Sequence, residues 1–180
     1  MRVIAGRYKG RRLKTPTWDG LRPTSDKLRE TLFNILAPRI AGARVLDAFA
    51  GTGAVGIEAL SRGAAQVTFI ERDRRAVALI EHNLAACGVE ADYNVVQGDV
   101  ETTLRNGRIG FDVILLDPPY ELHPIRATLE AAATRLSAGG LLVLERATRR
   151  EPDVPATLAR TRDVKSGDST LTIMTRICDL

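Results

Sequence analysis

Arg44-Val45-Leu46-Asp47-Ala48-Phe49-Ala50-Gly51-Thr52-Gly53-Ala54-Val55-Gly56 opens on a short apolar run and breaks at glycines before Ala54–Ser61. The run reads as a buried strand of a parallel sheet, and the glycines as a tight turn into a helix. The alternation recurs downstream. Strands are predicted over 66–71, 93–96, 112–116 and 141–145, with helices over 74–86 and about 125–136. Gly88 stops the first of these helices and Ser137-Ala138-Gly139-Gly140 the second. Thr161–Lys165 and Ser169–Ile177 alternate around Gly167, the pattern of an antiparallel hairpin. The expectation is an α/β fold, a doubly wound, mostly parallel seven-stranded sheet with antiparallel strands at one edge.

Upstream, residues 2–14 read as a short hairpin turning at Gly6 and Gly10, and Trp18–Pro23 as a loop. A helix is predicted from near Thr24, which can cap it. Leu28, Leu32, Ile35 and Leu36 share one of its faces, and Pro38 ends it. Residues 1–23 are therefore expected to form a basic extension and residues 24–180 the main domain.

Residues 1–40 hold ten lysines and arginines against three acids, a local excess of +7. The chain as a whole carries +4, which leaves −3 for the remainder. A basic extension on a mildly acidic body suggests a polyanionic partner. Arg2, Arg7, Lys9, Arg11, Arg12, Lys14 and Arg22 are the candidate nucleic-acid contacts, with Tyr8 and Trp18 among them as surfaces for unpaired bases. No apolar run approaches the ~18 residues of a membrane span, and the start Met1–Arg7 lacks the apolar stretch of a signal peptide. Cys87, Cys178, His82 and His123 have no metal-ligand spacing. A cytoplasmic, metal-free protein without a membrane partner is expected.

Gly51, Gly53 and Gly56 satisfy G-x-G-x-x-G, and Glu71 follows twenty residues after Gly51. Those features alone also fit a dinucleotide site, so an NAD-dependent oxidoreductase is one alternative. Asp47 tips the balance. An anion at the end of the first strand repels a pyrophosphate and suits a ligand carrying an ammonium and a sulfonium, as S-adenosylmethionine does. Glu71 is placed to accept from ribose hydroxyls, and Asp99, in Gly98-Asp99-Val100, from an adenine amino group. A helix cap is the plainer role for Asp99, and an ion pair with Arg72 or Arg74 for Glu71.

Asp117-Pro118-Pro119-Tyr120 follows the apolar run Val113–Leu116. Two prolines stop that strand in a rigid turn at its carboxyl end, where open α/β sheets bind ligands. The turn offers one carboxylate, one directed carbonyl and one aromatic face, a set suited to a planar base with an exocyclic amine. Asp117 and the Pro118 carbonyl would hold the amine and aim its lone pair at the methyl group. Asp117 would offset the charge that develops on nitrogen. Tyr120 would stack on the base, which has to leave its own stack to enter.

This turn, taken with Asp47–Gly53, resembles the class I amino-methyltransferases acting on adenine or guanine amino groups. Arg2-Val3-Ile4-Ala5-Gly6-Arg7-Tyr8-Lys9-Gly10-Arg11, Arg22–Asn34 and Gly56–Ala64 are similar to the bacterial 16S ribosomal RNA guanine-N2 methyltransferases of RsmD type. The resemblance covers essentially the whole chain. It implies a Rossmann-like class I fold and methyl transfer from S-adenosylmethionine to a guanine N2 in 16S ribosomal RNA. The RNA partner would be held within a small-subunit particle or assembly intermediate, and the enzyme would act as a monomer. Under it, Asp47, Phe49, Gly51, Thr52, Gly53, Glu71, Arg72, Asp99, Val100 and Asp117 belong to the cofactor site, with Arg22 and Thr24 near cofactor and target. Asp117, Pro118, Pro119 and Tyr120 would hold the guanine amine. An adenine-N6 methyltransferase acting on DNA or RNA, and a catalytically silent RNA-binding module, remain as other readings.

Overall fold

The computed structural model describes residues 1–18, 26–119 and 124–177. The expectations for Arg22, Thr24, Tyr120, Glu121–His123 and Cys178 lie outside the described residues. The described chain runs α1 (Asp26–Ile40), β1 (Arg44–Ala48), α2 (Ala54–Ser61), β2 (Gln66–Glu71), α3 (Arg74–Ala86), β3 (Tyr93–Gln97) and α4 (Val100–Asn106). Then follow β4 (Phe111–Leu116), α5 (Arg126–Ala133), β5 (Leu136–Ala147), β6 (Leu158–Ser166) and β7 (Ser169–Arg176). The sheet order is β3-β2-β1-β4-β5-β7-β6. Strands β1 to β5 pair in parallel, and β7 lies antiparallel between β5 and β6. This is the expected doubly wound, mostly parallel seven-stranded sheet.

The alternation of apolar residues along each strand sorts the core into two layers. Val45, Val67, Phe69, Val113 and Leu115 face Phe33, Leu36, Ile57, Ile80 and Leu84 of α1, α2 and α3. Leu46, Ile70, Ile114, Leu116 and Leu142 face Val100 and Leu104 of α4 and Leu129 of α5. From β1 the chain winds one way to β2 and β3, then crosses back to β4 and winds the other way. The carboxyl ends of β1 and β4 thus flank the point where the winding reverses, the place where such sheets bind ligands.

Several boundaries differ from expectation. Pro38 lies inside α1, which continues to Ile40. Ile40 is 1% exposed, so its burial outweighs the single hydrogen bond that Pro38 cannot donate. Helix α4 is not marked by the sequence pattern: only Val100 and Leu104 form its inner face, and two threonines dilute its helical signal. The helix expected to reach Leu136 ends at Ala133, because Leu136 pairs with Phe111 and begins β5. The register then jumps to Val113 opposite Leu141 across a bulge that holds Gly139 at φ 72°. On α3, Val77 is half-buried, and Ala76, Leu79, Ile80, Asn83 and Leu84 are the buried residues.

Residues 1–14 make a hairpin with one antiparallel bridge, Arg2 to Arg12. Gly6 and Gly10 turn it at φ 81° and 82°. Helix α2 grips it: Ile4 and Ala5 donate backbone N–H to Glu58 Oε2 (2.7 Å) and Oε1 (3.0 Å). Tyr8 N–H donates to Ser61 Oγ (2.9 Å) and Arg7 N–H to the Ser61 carbonyl (2.7 Å). Val3, Tyr8 and Leu13 are buried in the core layer of α1, α2 and α3. A Cβ at Gly6 would lie 1.8 Å from the Ser61 carbonyl oxygen. Gly6→Ala therefore meets backbone that cannot yield, besides the cost of its left-handed conformation. A loss of about 2–5 kcal/mol in chemical denaturation is expected, with the N-terminal hairpin becoming the first site of proteolysis.

Candidate functional site

The site is built along the carboxyl edge of β1, β2 and β4, and begins with Asp47. Its side chain points to the same face as Val45, toward α2, where Oδ2 accepts the backbone N–H of Gly56 at 2.8 Å. The carboxyl thus sits at the amino end of α2, where the helix dipole favours an anion. Asp47 is only 3% exposed. Its pKa is pushed up to about 8, chiefly by burial and in smaller part by the neighbouring Asp117 and Glu71, against the pull of the Gly56 N–H. Among the described residues neither Asp47 nor Glu71 forms a salt bridge.

After β1 the chain makes three left-handed turns in five residues: Phe49 at φ 61°, Gly51 at 54° and Gly53 at 74°. Phe49 bears a conformation unusual for a residue with a Cβ. Its half-buried ring packs on the core layer of α4 and α5. The turn is fastened to the end of β2. Ala50 N–H donates to the Ile70 carbonyl (3.1 Å) and Gly51 N–H to Glu71 Oε2 (2.9 Å). Glu71 Oε1 accepts from the N–H groups of Arg72 (2.8 Å) and Asp73 (3.0 Å). A carboxylate offers about four acceptor positions, so these three bonds leave one, on Oε2. The ion pair with Arg72 or Arg74 does not form; Glu71 is instead held by backbone amides. Arg72 is exposed, and Thr52 is 6% exposed. The third glycine of the fingerprint has a packing reason: a Cβ at Gly56 would lie 2.2 Å from the Phe69 ring on β2.

Asp99 caps α4, its Oδ1 accepting the Thr102 N–H at 2.9 Å, and this bond heads the influences that hold its pKa below the ordinary value. Asp99 is exposed, and Val100 beside it is buried in the core. At the end of β4, Asp117 N–H reaches the Ala48 carbonyl at 3.4 Å, extending the β1–β4 ladder by one bond. Asp117 and Pro118 are half-buried and Pro119 is exposed. Asp47 and Asp117 are therefore neighbours at the point where the winding reverses.

Arg2, Arg7, Lys9, Arg11, Arg12 and Lys14 are all exposed. Tyr8 is not free for a base: it is 7% exposed, with the Arg7 and Arg11 guanidinium carbons 5.5 and 5.1 Å from its ring centre. Trp18 is half-buried beneath Arg75 at 5.1 Å. Sequence reasoning passes over Glu58, Ser61 and Asn83. Asn83, fully buried on α3, accepts the Lys14 N–H (2.8 Å) and donates to the carbonyls of Lys14 (3.1 Å) and Thr52 (2.9 Å). It ties the basic hairpin to the glycine turn. The available signal is a polar residue on the apolar stripe of a helix, which has to find a buried partner.

The raised pKa of Asp47 has a consequence for stability. In the unfolded chain an aspartate titrates near ~3.9, and in the fold near 8. Between about pH 4 and pH 8 the unfolded chain gives up this proton more readily than the folded one, so stability falls as pH rises through that window. Asp47→Asn, which keeps an oxygen for the Gly56 N–H, should be the more stable protein at pH 7 and show a flatter profile from pH 4 to 8. Denaturation midpoints of the two proteins measured across that range check this; parallel curves would contradict it.

The family model described as Conserved hypothetical protein 95 matches residues 1–175. The chain is 38% identical over 174 residues to Ribosomal RNA small subunit methyltransferase D of Escherichia coli strain K12, covering 93% of this chain and 85% of that one. It is 39% identical over 163 residues to YlbH of Bacillus subtilis strain 168, covering 88% of each. The solved structure of yhhF from Escherichia coli superposes with a TM-score of 0.87 at 36% identity, covering 98% of this chain and 97% of that one. Matched along nearly its whole length in sequence and in fold, the chain belongs to the Conserved hypothetical protein 95 family, the RsmD family of class I methyltransferases.

Proposed function

We propose that the protein transfers a methyl group from S-adenosylmethionine to the exocyclic N2 amino group of a guanine in 16S ribosomal RNA. The observation that carries this reading is Asp47, a buried carboxyl that forms no salt bridge among the described residues, next to the Asp117-Pro118-Pro119 turn. Asp47 occupies the helix N-terminus that a dinucleotide's pyrophosphate would need, which argues against the NAD-dependent reading. A ligand with a sulfonium and an ammonium brings positive charge to these acids, so the donor set fits adenosylmethionine. The Escherichia coli relative's name, a small-subunit ribosomal RNA methyltransferase, supports the class of substrate.

Adenosylmethionine, when bound, supplies a methyl group already activated on sulfur. The chain's own residues do the rest. Gly51 and Gly53 let the ligand approach the backbone, alongside Phe49, Thr52 and Arg72. Glu71 holds the turn and offers its open Oε2 position to a ribose hydroxyl. Asp99 and Val100 border the adenine. Asp117 and the Pro118 carbonyl accept the two amine N–H groups, so the nitrogen lone pair faces the methyl, and Asp117 offsets the charge that grows there. Pro119 fixes the direction of the Pro118 carbonyl. Arg22, Thr24 and Tyr120 complete the site in this reading. The basic segment of residues 1–23 tracks RNA phosphates within a small-subunit particle, and the enzyme works as a cytoplasmic monomer.

Tritiated-methyl transfer to small-subunit RNA and to the corresponding particle, followed by nucleoside analysis, tests this directly; N2-methylguanosine is the expected product. Asp117→Ala should abolish detectable transfer while adenosylmethionine affinity stays within a few-fold. The expected loss is about 2.7–4 kcal/mol of barrier, by analogy with oxyanion-hole donors. Near-normal turnover would remove Asp117 from the chemistry.

The basic hairpin has its own test. Replacing Arg7, Arg11 and Arg12 by alanine should weaken RNA or particle binding and flatten its salt dependence, by roughly 0.7–0.9 in slope for each phosphate no longer neutralised. Adenosylmethionine affinity should not change. An unchanged slope would make these cations a solvated surface.

A further inference from the structure

The basic hairpin and the glycine turn share one buried side chain. Asn83 lies on α3 and is 0% exposed. Its amide pairs with both backbone groups of Lys14, as a neighbouring strand would. Oδ1 accepts the Lys14 N–H (2.8 Å), and Nδ2 donates to the Lys14 carbonyl (3.1 Å). The second Nδ2 hydrogen goes to the Thr52 carbonyl at 2.9 Å. A primary amide has two donors, and here both are engaged. Neither segment can shift its backbone without breaking a bond inside the core. Thr52 stands between Gly51 (φ 54°) and Gly53 (φ 74°) in the left-handed part of the turn. Helix α3 backs the turn here as well: a Cβ at Gly53 would lie 3.2 Å from Ile80 Cγ2, one helical turn before Asn83. The other anchors of the hairpin are bonded elsewhere. Glu58 and Ser61 hold residues 4, 5, 7 and 8 on α2, and Arg29 holds the Arg2 carbonyl from α1.

We propose that Asn83 is a positioning residue that couples two ligands, so that RNA on the basic hairpin and adenosylmethionine on the glycine turn tighten each other's binding. The proposal rests on the RNA methyl-transfer reading above and adds a route between its two binding surfaces. A turn with left-handed residues at 49, 51 and 53 loses backbone freedom when a ligand fixes it. The hairpin loses freedom in the same way when a polyanion settles on it. The Asn83 amide satisfies Lys14 and Thr52 together only when both segments hold these positions. The ligand that arrives first fixes that arrangement, and the second finds it already ordered and binds more tightly. The coupling is reciprocal: each ligand changes the other's dissociation constant by the same factor. The protein then holds cofactor and RNA together more often than two independent sites would.

The test measures the dissociation constant of radiolabelled S-adenosylhomocysteine, the unreactive product, by equilibrium dialysis. The protein is used alone and saturated with small-subunit particles. Wild-type protein should bind the product about fivefold or more tightly when the particle is bound. Asn83→Ala removes all three bonds. Asn83→Asp keeps the acceptor for the Lys14 N–H and loses both donors. Each should bring the factor toward unity. A purely structural Asn83 would lower stability and weaken affinity in both states, leaving the factor unchanged. In wild-type protein without particles, hydrogen exchange at the Lys14 amide should slow several-fold when adenosylhomocysteine is added. Where a variant does not fold, this exchange decides, because the Lys14 amide is bonded to Asn83 itself. A factor of unity in wild-type protein with both ligands bound, an unchanged factor in a folded variant, or unchanged Lys14 exchange overturns the coupling and leaves the methyl-transfer reading standing. Failure of wild-type protein to bind adenosylhomocysteine or particles overturns both.

Discussion

The constraint on which the rest depends is the burial of an acid that forms no salt bridge among the described residues. Asp47 lies one residue before the end of the first strand at the centre of the sheet, 3% exposed, its Oδ2 accepting the Gly56 amide. A carboxyl in that place stays protonated near neutral pH, its pKa pushed up to about 8 chiefly by desolvation, unless a cation arrives. The residues around it are built into the same edge of the sheet. The glycine turn clears space, and Glu71 holds that turn through Gly51 while anchoring the start of α3 through Arg72 and Asp73. Phe49 is kept in a left-handed conformation, a strain of the kind that clusters at functional sites.

The basic N-terminal hairpin is joined to this centre through buried polar side chains. Glu58 and Ser61 on α2 and Asn83 on α3 accept its backbone amides, and Asn83 also reaches the Thr52 carbonyl in the glycine turn. Arg29, fully buried on α1, donates to the Arg2 carbonyl at 2.6 Å and to Asp26 at 2.8 Å. The exposed cations of the hairpin are thus carried on a backbone whose position is set by the helices that flank the turn. A rigid mount of this kind lets phosphate contacts fix the register of a nucleic acid without themselves reading its sequence.

Much of this is legible in the chain because it follows from periodicity and turn chemistry. Strand-helix alternation predicts the doubly wound sheet, Gly167 the terminal hairpin, and the acids after successive strands the edge that carries the candidate site. Helix α4 is not legible, since its two apolar residues in seven give no stripe and the Asp99 cap reads equally as a ligand. Nor is the start of β5: Ser137-Ala138-Gly139-Gly140 looks like a helix stop, and only pairing with Phe111 makes Leu136 the start of a strand.

The sequence by itself determined the fold class, the position of the glycine turn and the set of carboxylates, because each depends on residues close together in the chain. Only the tertiary structure decided what those carboxylates touch. Asp47 is buried rather than solvated because α2 packs over β1. Glu71 spends three of its bonds on backbone amides because β2 ends beside the turn. Asp117 stands next to Asp47 because β1 and β4 pair with Ala48 opposite Leu116. These are contacts between residues far apart in sequence, and hydrophobic periodicity reports which face of an element is buried but not what it is buried against.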